Sequence, residues 1–277
     1  MKIGLIGFGI IGNAFYENMK HMFDIVIYDK KQDDCRFVKN IKELVFIVKK
    51  RPIFVSVPTP MNEDGSCHID IVDSVCQEIN EAVNHEGFAE NDTISKQIVV
   101  IRSTIIPGTT YELNNKYKNL NVVFNPEFLT ENNAILDFKR QNRIIIGGDP
   151  DATKIVASLY HIVFPYVKIL ECSSRVAELT KYTTNAFLAT KVSFANEIFQ
   201  ICEKLNINYE ELISLVTLDQ RLGTSHWKVT KEKGFSGKCL PKDLNALIAK
   251  SYDLGIDPIL MEAVNKKNLE VRNSNGI

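Results

Sequence analysis

The stretch KIGLIGFGIIG, residues 2–12, decides the fold. An apolar run passes directly into three glycines, Gly7, Gly9 and Gly12, and then into a segment with helical periodicity. In a G-x-G-x-x-G pattern the first glycine permits a tight turn, the second lets the backbone approach a pyrophosphate, and the third allows close packing of helix on strand. The stretch therefore predicts the first strand, loop and helix of a dinucleotide-binding fold, with Ile11 inside the binding loop.

Asp29 supports this interpretation. It ends the next apolar run, DIVIYD, and lies 22 positions after Gly7. A carboxylate about 20 residues after the motif typically binds the adenine-ribose hydroxyls. Because an acid at this position repels a 2′-phosphate, we expect NAD rather than NADP. The alternative is a structural glycine turn followed by a solvated surface aspartate.

Short apolar runs continue through the first 170 residues, with helix-period segments between several of them: PIFVSVP, QIVVIRS, NVVFNP, RIIIGG and YVKILE. Runs that are apolar on both faces are typical of parallel strands covered by helices. From Ser173 onward the pattern is helical. We predict a Rossmann-type, doubly wound parallel α/β sheet over residues 1–172, followed by an all-helical domain over 173–277.

Charge and composition exclude several classes of function. The chain has 277 residues, with 33 basic against 34 acidic side chains and a net charge of −1, which argues against nucleic-acid or anionic-membrane binding. Its six cysteines form no C-x-x-C pair, so neither a disulfide framework nor a metal site is predicted. We see no targeting segment, and we expect a location in the reducing cytoplasm.

Two pairs of polar residues have helical spacing. Lys181 and Asn185 are four positions apart in a long helical segment, so both can point at one oxygen, and a cation with an amide donor suits an oxyanion. Glu127 and Glu131 are also four apart, just beyond the fifth predicted strand, where ligands bind in open α/β sheets. The alternatives are solvated helix-surface residues and an acidic first turn of a helix.

Cys239 differs from the other five cysteines, which we expect to be inert and buried. It precedes a helix that begins near Pro241 and is flanked by Lys238 and Lys242. A helix N-terminus and nearby cations favour the thiolate, so Cys239 is predicted to be nucleophilic. Asp243, four residues further on, could orient a water or a proton donor near the sulfur.

Together these residues resemble the UDP-glucose/GDP-mannose dehydrogenase family. The resemblance runs from Met1 to about Arg272 and rests on motifs in this order: GFGIIG, VPTP (57–60), RSTIIPG (102–108), NPEFLTE (125–131), AELTKYTTNAFLA (177–189), DQRLG (219–223) and GFSGKCLPKD (234–243). It implies a four-electron oxidation of a nucleotide sugar, with UDP-glucose to UDP-glucuronate ranked first, ahead of UDP-N-acetylated sugars and GDP-mannose.

The resemblance also implies a role for each matching residue. Cys239 would be the nucleophile, Lys181 and Asn185 the oxyanion donors, and Thr104 and Asp243 the residues that handle water. Glu127 and Glu131 would act as general base or contact substrate. The cofactor contacts would be Gly7, Gly9, Ile11, Gly12, Asp29, Thr59, Thr104 and Lys242. The substrate contacts would be Glu127, Phe128, Leu129, Glu131, Lys181, Asn185, Arg221 and Gly234. The long helix from about Ser174 would form a homodimer, so 173–277 would be the all-helical dimerisation domain, ending in a truncated linker helix.

Two departures from the family pattern matter. Ser236-Gly237 stands where the family usually has Gly-Gly, and a Cβ there would narrow the site if φ were positive. Family members continue into a further domain that binds the nucleotide half of the substrate. We expect this chain to lack that domain and to need it from a separate chain.

Two alternative functions therefore stay open. One is a two-electron β-hydroxyacid-type dehydrogenase, which would use Lys181 and Asn185 but not Cys239. The other is a non-catalytic NAD-binding module that assembles with a partner.

Overall fold

A computed structural model describes residues 1–32, 34, 36–85 and 96–273. Cys35 lies outside these residues. The strands are β1 Lys2–Ile6, β2 Asp24–Tyr28, β3 Ile53–Val55, β4 Gln97–Ile101, β5 Leu120–Phe124, β6 Arg143–Gly147 and β7 Lys168–Cys172. The helices are α1 Ile10–Met19, α2 Ile41–Val48, α3 Asp70–His85, α4 Thr109–Lys116, α5 Ala134–Lys139, α6 Pro150–Val163, α7 Ser174–Leu205, α8 Tyr209–Val216, α9 Leu240–Asp253 and α10 Ile259–Asn273, with a 3₁₀ turn at Glu131–Asn133.

The chain divides into two compact units. Unit 1 comprises Met1–Thr59 and His68–Lys181, and unit 2 comprises Pro60–Cys67 and Tyr182–Ile277. These are compact pieces of the chain rather than parts shown to fold alone, so the domain boundary expected near residue 172 stays a prediction.

Unit 1 is built on a seven-stranded sheet of order β2-β1-β3-β4-β5-β6-β7. The predicted Rossmann-type fold is confirmed, and each predicted apolar run forms a strand. The sheet departs from the prediction in one place, because β6 is antiparallel to β5 and joins it at the single pair Phe124–Gly147. The connection between β5 and β6 contains only the 3₁₀ turn Glu131–Asn133 and the six-residue helix α5.

Alternate residues of the central strands bury apolar side chains on both faces of the sheet. On β4, Val100 joins the cluster that contains Phe15 of α1, whereas Val99 and Ile101 join the cluster that contains Leu44 of α2. Each such side chain contributes about 1.5–3 kcal/mol when fully buried. This two-sided core fixes the strand ends, and with them the loops that carry the candidate site.

Unit 2 is helical and has its own small core. Ala186, Ala189 and Val192 of α7 pack with Leu244 of α9 and Val264 of α10.

None of the five described cysteines is in a disulfide. Among the described residues, no helix is both long and apolar enough to cross a membrane.

Candidate functional site

The fold itself requires two of the three motif glycines. Gly7 has φ 91°, and a Cβ there would lie 2.5 Å from the Ser56 carbonyl oxygen. A Cβ at Gly12 would lie 2.0 Å from the Gly7 carbonyl oxygen, a distance that no packing tolerates. Both residues therefore hold the strand, loop and helix together, as the motif predicts.

Gly9 is different, because the protein gives no reason for a glycine there. Its φ of −75° suits any residue, and an added Cβ would meet no heavy atom of the described residues within 4 Å. Gly9 is also the N-cap of α1, and its position provides no side-chain cap for the first backbone N–H groups of the helix. Open space in front of an uncapped helix N-terminus fits the pyrophosphate of a dinucleotide.

Asp29 lies beside this loop. Its Oδ2 accepts a hydrogen bond from the Phe8 backbone N–H at 2.6 Å, and its Oδ1 accepts one from the Lys31 N–H at 2.8 Å. The half-buried carboxylate is thus part of the loop structure rather than a solvated surface group. Each oxygen of a carboxylate has a second lone pair, so Asp29 can also accept hydrogen bonds from ribose hydroxyls.

Thr59 and Thr104 lie on the segments that follow β3 and β4. Thr59 is buried and Thr104 is half-buried. Because β1, β3 and β4 are parallel neighbours, these segments leave the sheet at the same edge as the glycine loop. Ligands of open α/β sheets bind at this edge.

A buried ion pair joins Lys181 to Glu127 in unit 1. The Lys181 Nζ donates to the Glu127 Oε1 at 2.9 Å and to the Glu127 carbonyl oxygen at 2.6 Å. The Lys181 side chain is 3% exposed and that of Glu127 is 7% exposed. Neither residue is a solvated surface group.

The pair controls the ionisation of Glu127. Burial acts to raise the pKa of this carboxyl, but the charge and hydrogen bond of Lys181, the Leu129 N–H and the charge of Arg102 together hold that pKa below its ordinary value. Glu127 is therefore a carboxylate at neutral pH and can accept a proton. Phe128, next in the chain, places its ring 5.6 Å from the Lys181 Nζ.

A second buried polar cluster lies in unit 2. Asp243 is fully buried, and its two carboxylate oxygens accept hydrogen bonds from Asn185 Nδ2 and from Lys242 Nζ, each at 2.5 Å. A carboxylate only accepts hydrogen bonds, so the Asn185 side-chain atom that faces Asp243 must be the amide nitrogen and not the amide oxygen. Lys242, predicted to lie near the cofactor, forms its ion pair with Asp243.

Cys239 is the N-cap residue of α9 and is exposed. Its thiol therefore lies at the positive end of a 14-residue helix. This is the environment in which a thiolate is stabilised. Asp243 is one turn further along the same helix, with its N–H bonded to the Cys239 carbonyl oxygen at 2.9 Å.

Sequence reasoning missed two asparagines that hold the loop before Cys239. Asn196 of α7 accepts a hydrogen bond from the Gly234 N–H at 3.2 Å, and Asn268 of α10 accepts one from the Phe235 N–H at 2.6 Å. Both side chains are almost fully buried, at 1% and 5% exposed. A buried asparagine inside an amphipathic helix is the one signal that could have identified them.

The remaining predicted site residues differ in exposure, in partners and in backbone conformation. Glu131 is exposed in the 3₁₀ turn, so the two glutamates of NPEFLTE do not share one environment. Arg221 is 87% exposed on its side chain and pairs with Asp219. At the departure from the family pattern, the positive φ of 82° falls on Gly237 and not on Ser236, so the serine Cβ introduces no backbone strain.

Two sequence models of one family match most of the chain. The NAD-binding domain of the UDP-glucose/GDP-mannose dehydrogenase family matches residues 47–164, and the central domain of the same family matches residues 175–270.

Individual relatives agree with this match. A UDP-glucose 6-dehydrogenase of Rickettsia felis is 34% identical over 222 residues, which cover 78% of this chain and 47% of the relative. A GDP-mannose 6-dehydrogenase of Pseudomonas syringae pv. tomato is 32% identical over 225 residues, covering 77% and 49%. A solved UDP-glucose dehydrogenase from Pyrobaculum islandicum superposes with a TM-score of 0.85 at 27% identity, covering 96% of this chain and 67% of that one. The chain thus spans about half the length of the curated relatives it matches.

The glycine loop generates a paired prediction. Gly9→Ala should leave the free energy of unfolding within about 0.5 kcal/mol of the parent and weaken NAD binding by tenfold or more, because the added methyl occupies the space for the pyrophosphate. Gly12→Ala should unfold or strongly destabilise the chain. Calorimetric NAD titration and thermal unfolding measure both effects. Tight NAD binding by Gly9→Ala would contradict the assignment of this space to the cofactor.

Asp29 generates a prediction of cofactor choice. NAD should bind more tightly than NADP by about tenfold or more, since a 2′-phosphate beside the carboxylate costs on the order of 1.4 kcal/mol or more. Asp29→Asn should reduce this preference, whereas Asp24→Asn, an exposed aspartate at the start of β2, should not. Titration of both cofactors decides the matter, and equal affinities in the parent chain would show that Asp29 does not bind the ribose.

Proposed function

The chain belongs to the UDP-glucose/GDP-mannose dehydrogenase family, and from this we propose that it catalyses the NAD-dependent four-electron oxidation of a nucleotide sugar, converting a primary alcohol into a carboxylate. The observation that carries the proposal is Cys239, an exposed thiol at the N-terminus of α9. A two-electron alcohol dehydrogenase has no use for such a thiol, whereas oxidation to the acid requires a nucleophile that holds the intermediate aldehyde.

Cys239 provides the covalent part of the reaction. Its thiolate adds to the aldehyde carbon to form a thiohemiacetal, and oxidation of that adduct leaves a thioester. Water then attacks the thioester, which releases the carboxylate and returns the thiolate. NAD, when bound at the glycine loop and Asp29, supplies the hydride acceptor for the oxidations.

Lys181 and Asn185 are proposed to stabilise the oxygen on the reacting carbon. The Lys181 ammonium and the Asn185 amide are held by carboxylates, those of Glu127 and Asp243 respectively. Donors fixed in this way need little reorganisation during the reaction. One well-placed donor lowers the activation free energy by about 3–4 kcal/mol.

Glu127 is the proposed general base for thioester hydrolysis. It is ionised next to Lys181, so it can take a proton from the attacking water. Thr104, Asp243 and Glu131 are proposed to help place that water. Phe128, Leu129, Arg221 and Gly234 are the proposed substrate contacts.

The sugar and its nucleotide are proposed from the relatives rather than from the site residues. Relatives that act on UDP-glucose and on GDP-mannose match this chain about equally, at 34% and 32% identity. We rank UDP-glucose first because it is the substrate named for both the Rickettsia relative and the Pyrobaculum structure. A thiolate nucleophile must also stay reduced, which supports the cytoplasm as the proposed location.

Replacing the thiol tests the four-electron reaction. Cys239→Ser should keep folding and NAD affinity unchanged but abolish acid formation, because a serine hydroxyl without an activating base is a far weaker nucleophile. The control is Cys172→Ser, which changes a half-buried thiol at the end of β7. Mass spectrometry of the products from UDP-glucose, with and without the separately expressed C-terminal half of a family member, gives the result. An NADH yield per sugar that is unchanged in Cys239→Ser would favour the two-electron reaction, and undiminished acid formation would show that Cys239 is not the nucleophile.

A homodimer through α7 is also proposed. In unit 2 this helix packs Ala186, Ala189 and Val192 into the core, while Phe187, Phe194, Ile201 and Leu205 are each at least 50% exposed on another face. The exposed residues repeat at intervals of seven, seven and four, so they form one stripe. A stripe of this size is unusual on a monomer and suits the same face of a second copy.

Light scattering tests the dimer. The parent chain should have twice the monomer mass of 31.4 kDa at micromolar concentration. Phe194→Glu combined with Ile201→Glu should give the monomer mass, since two charges cannot be buried in an apolar interface without large cost. Ser158→Glu, which adds a charge at an exposed position of α6, is the control. A parent chain of monomer mass would show that the α7 stripe is not a dimer interface.

A further inference from the structure

Glu178 of α7 caps a helix that lies elsewhere in unit 1. Its Oε2 accepts a hydrogen bond from the Gly108 N–H at 2.7 Å, and its Oε1 accepts two from Thr110, from the N–H at 2.8 Å and from the hydroxyl at 2.6 Å. Gly108 is the N-cap of α4, is left-handed with φ 108°, and has no side chain to cap the helix. The carboxylate of Glu178, which is 0% exposed, caps the helix instead.

The next turn of α7 carries the Lys181–Glu127 pair. Glu178 and Lys181 are three positions apart, so they project from neighbouring positions on one side of the helix. The carboxylate attaches α7 to the segment after β4, and the ammonium attaches it to the segment after β5. These two segments also contain the proposed reaction residues Thr104 and Glu127.

We propose that Glu178 is a positioning residue, which holds the start of α7 on α4 and thereby sets the Lys181 ammonium against Glu127. The catalytic meaning of this placement rests on the proposed function, in which Lys181 donates to the reacting oxygen and Glu127 activates water. The placement itself can be tested without substrate or cofactor.

Only a carboxylate of this length satisfies the three donors. The two backbone N–H groups cannot reverse their polarity, so the amide nitrogen of a glutamine would face one of them and leave it without an acceptor. An aspartate is shorter by one methylene and would not reach both Gly108 and Thr110. Burial raises the pKa of the Glu178 carboxyl, while the three donors of Gly108 and Thr110 and the charge of Arg175 act in the opposite direction and favour the charged form.

The experiment compares Glu178→Gln with Glu203→Gln, an exposed glutamate in the last turn of the same helix. The carboxyl carbon of Glu127 is titrated by ¹³C NMR in each protein, with Glu127→Gln used to assign the signal. Glu127 is held in its charged form by Lys181, with Arg102 as the other nearby cation. If Glu178 positions Lys181, the pKa of Glu127 should rise by about one unit in Glu178→Gln and stay unchanged in Glu203→Gln. Thr110→Val, which removes one donor and keeps both backbone N–H groups, should give a smaller rise.

A purely structural cap would give a different result. Glu178→Gln would then unfold at a lower temperature while Glu127 titrates as in the parent, and that result would overturn the proposal. If Glu178→Gln does not fold, Thr110→Val decides, and an unchanged Glu127 titration in that variant also overturns it. A shifted titration in a chain that oxidises no nucleotide sugar would support the positioning role and count against the proposed function alone.

Discussion

The structure depends most on the ion pair between Lys181 and Glu127, which is almost completely withdrawn from water. Such a pair gains little net stability, because the loss of hydration offsets most of the attraction between the charges. Removing one partner, however, leaves an uncompensated buried charge and costs about 3–5 kcal/mol. The pair adds little stability, yet neither partner can be removed without a large cost. This suggests that the Lys181 ammonium and the Glu127 carboxylate serve the reaction, to which both are assigned in the proposed function.

Several buried polar side chains along α7 are paired with groups on other elements. Glu178 accepts from the end of α4, Lys181 donates to Glu127, Asn185 donates to Asp243, and Asn196 accepts from Gly234. Each of these side chains is buried and each has a partner distant in sequence. The helix therefore sets the rotamers of its polar groups through partners on other elements, and groups fixed in this way favour a transition state because they need not reorganise.

The sequence predicted those features that depend on local spacing. The glycines of residues 7–12, Asp29 and the seven apolar runs are such features, since a tight turn and a two-sided strand are read from adjacent residues. The partners of the polar groups could not be predicted in the same way. Lys181 lies 54 positions from Glu127, and Asn185 lies 58 from Asp243, so their meeting depends on the fold.

Two other features differ from the sequence pattern. The i,i+4 spacing grouped Glu127 with Glu131, whereas Glu127 is buried and Glu131 is exposed. The antiparallel direction of β6 was not predicted either, because an apolar run indicates a buried strand but not the direction in which it runs beside its neighbour.

The ratio of NADH formed to carboxylate released distinguishes a four-electron oxidation from a two-electron one. The chain, with the C-terminal half of a family member supplied separately, is incubated with UDP-glucose, GDP-mannose and a UDP-N-acetylated hexosamine in turn. Oxidation of a primary alcohol to an acid through a Cys239 thioester transfers two hydrides, so two NADH are expected for each carboxylate with one of these substrates. One NADH for each molecule consumed, with an aldehyde or ketone as the product, would contradict the four-electron oxidation.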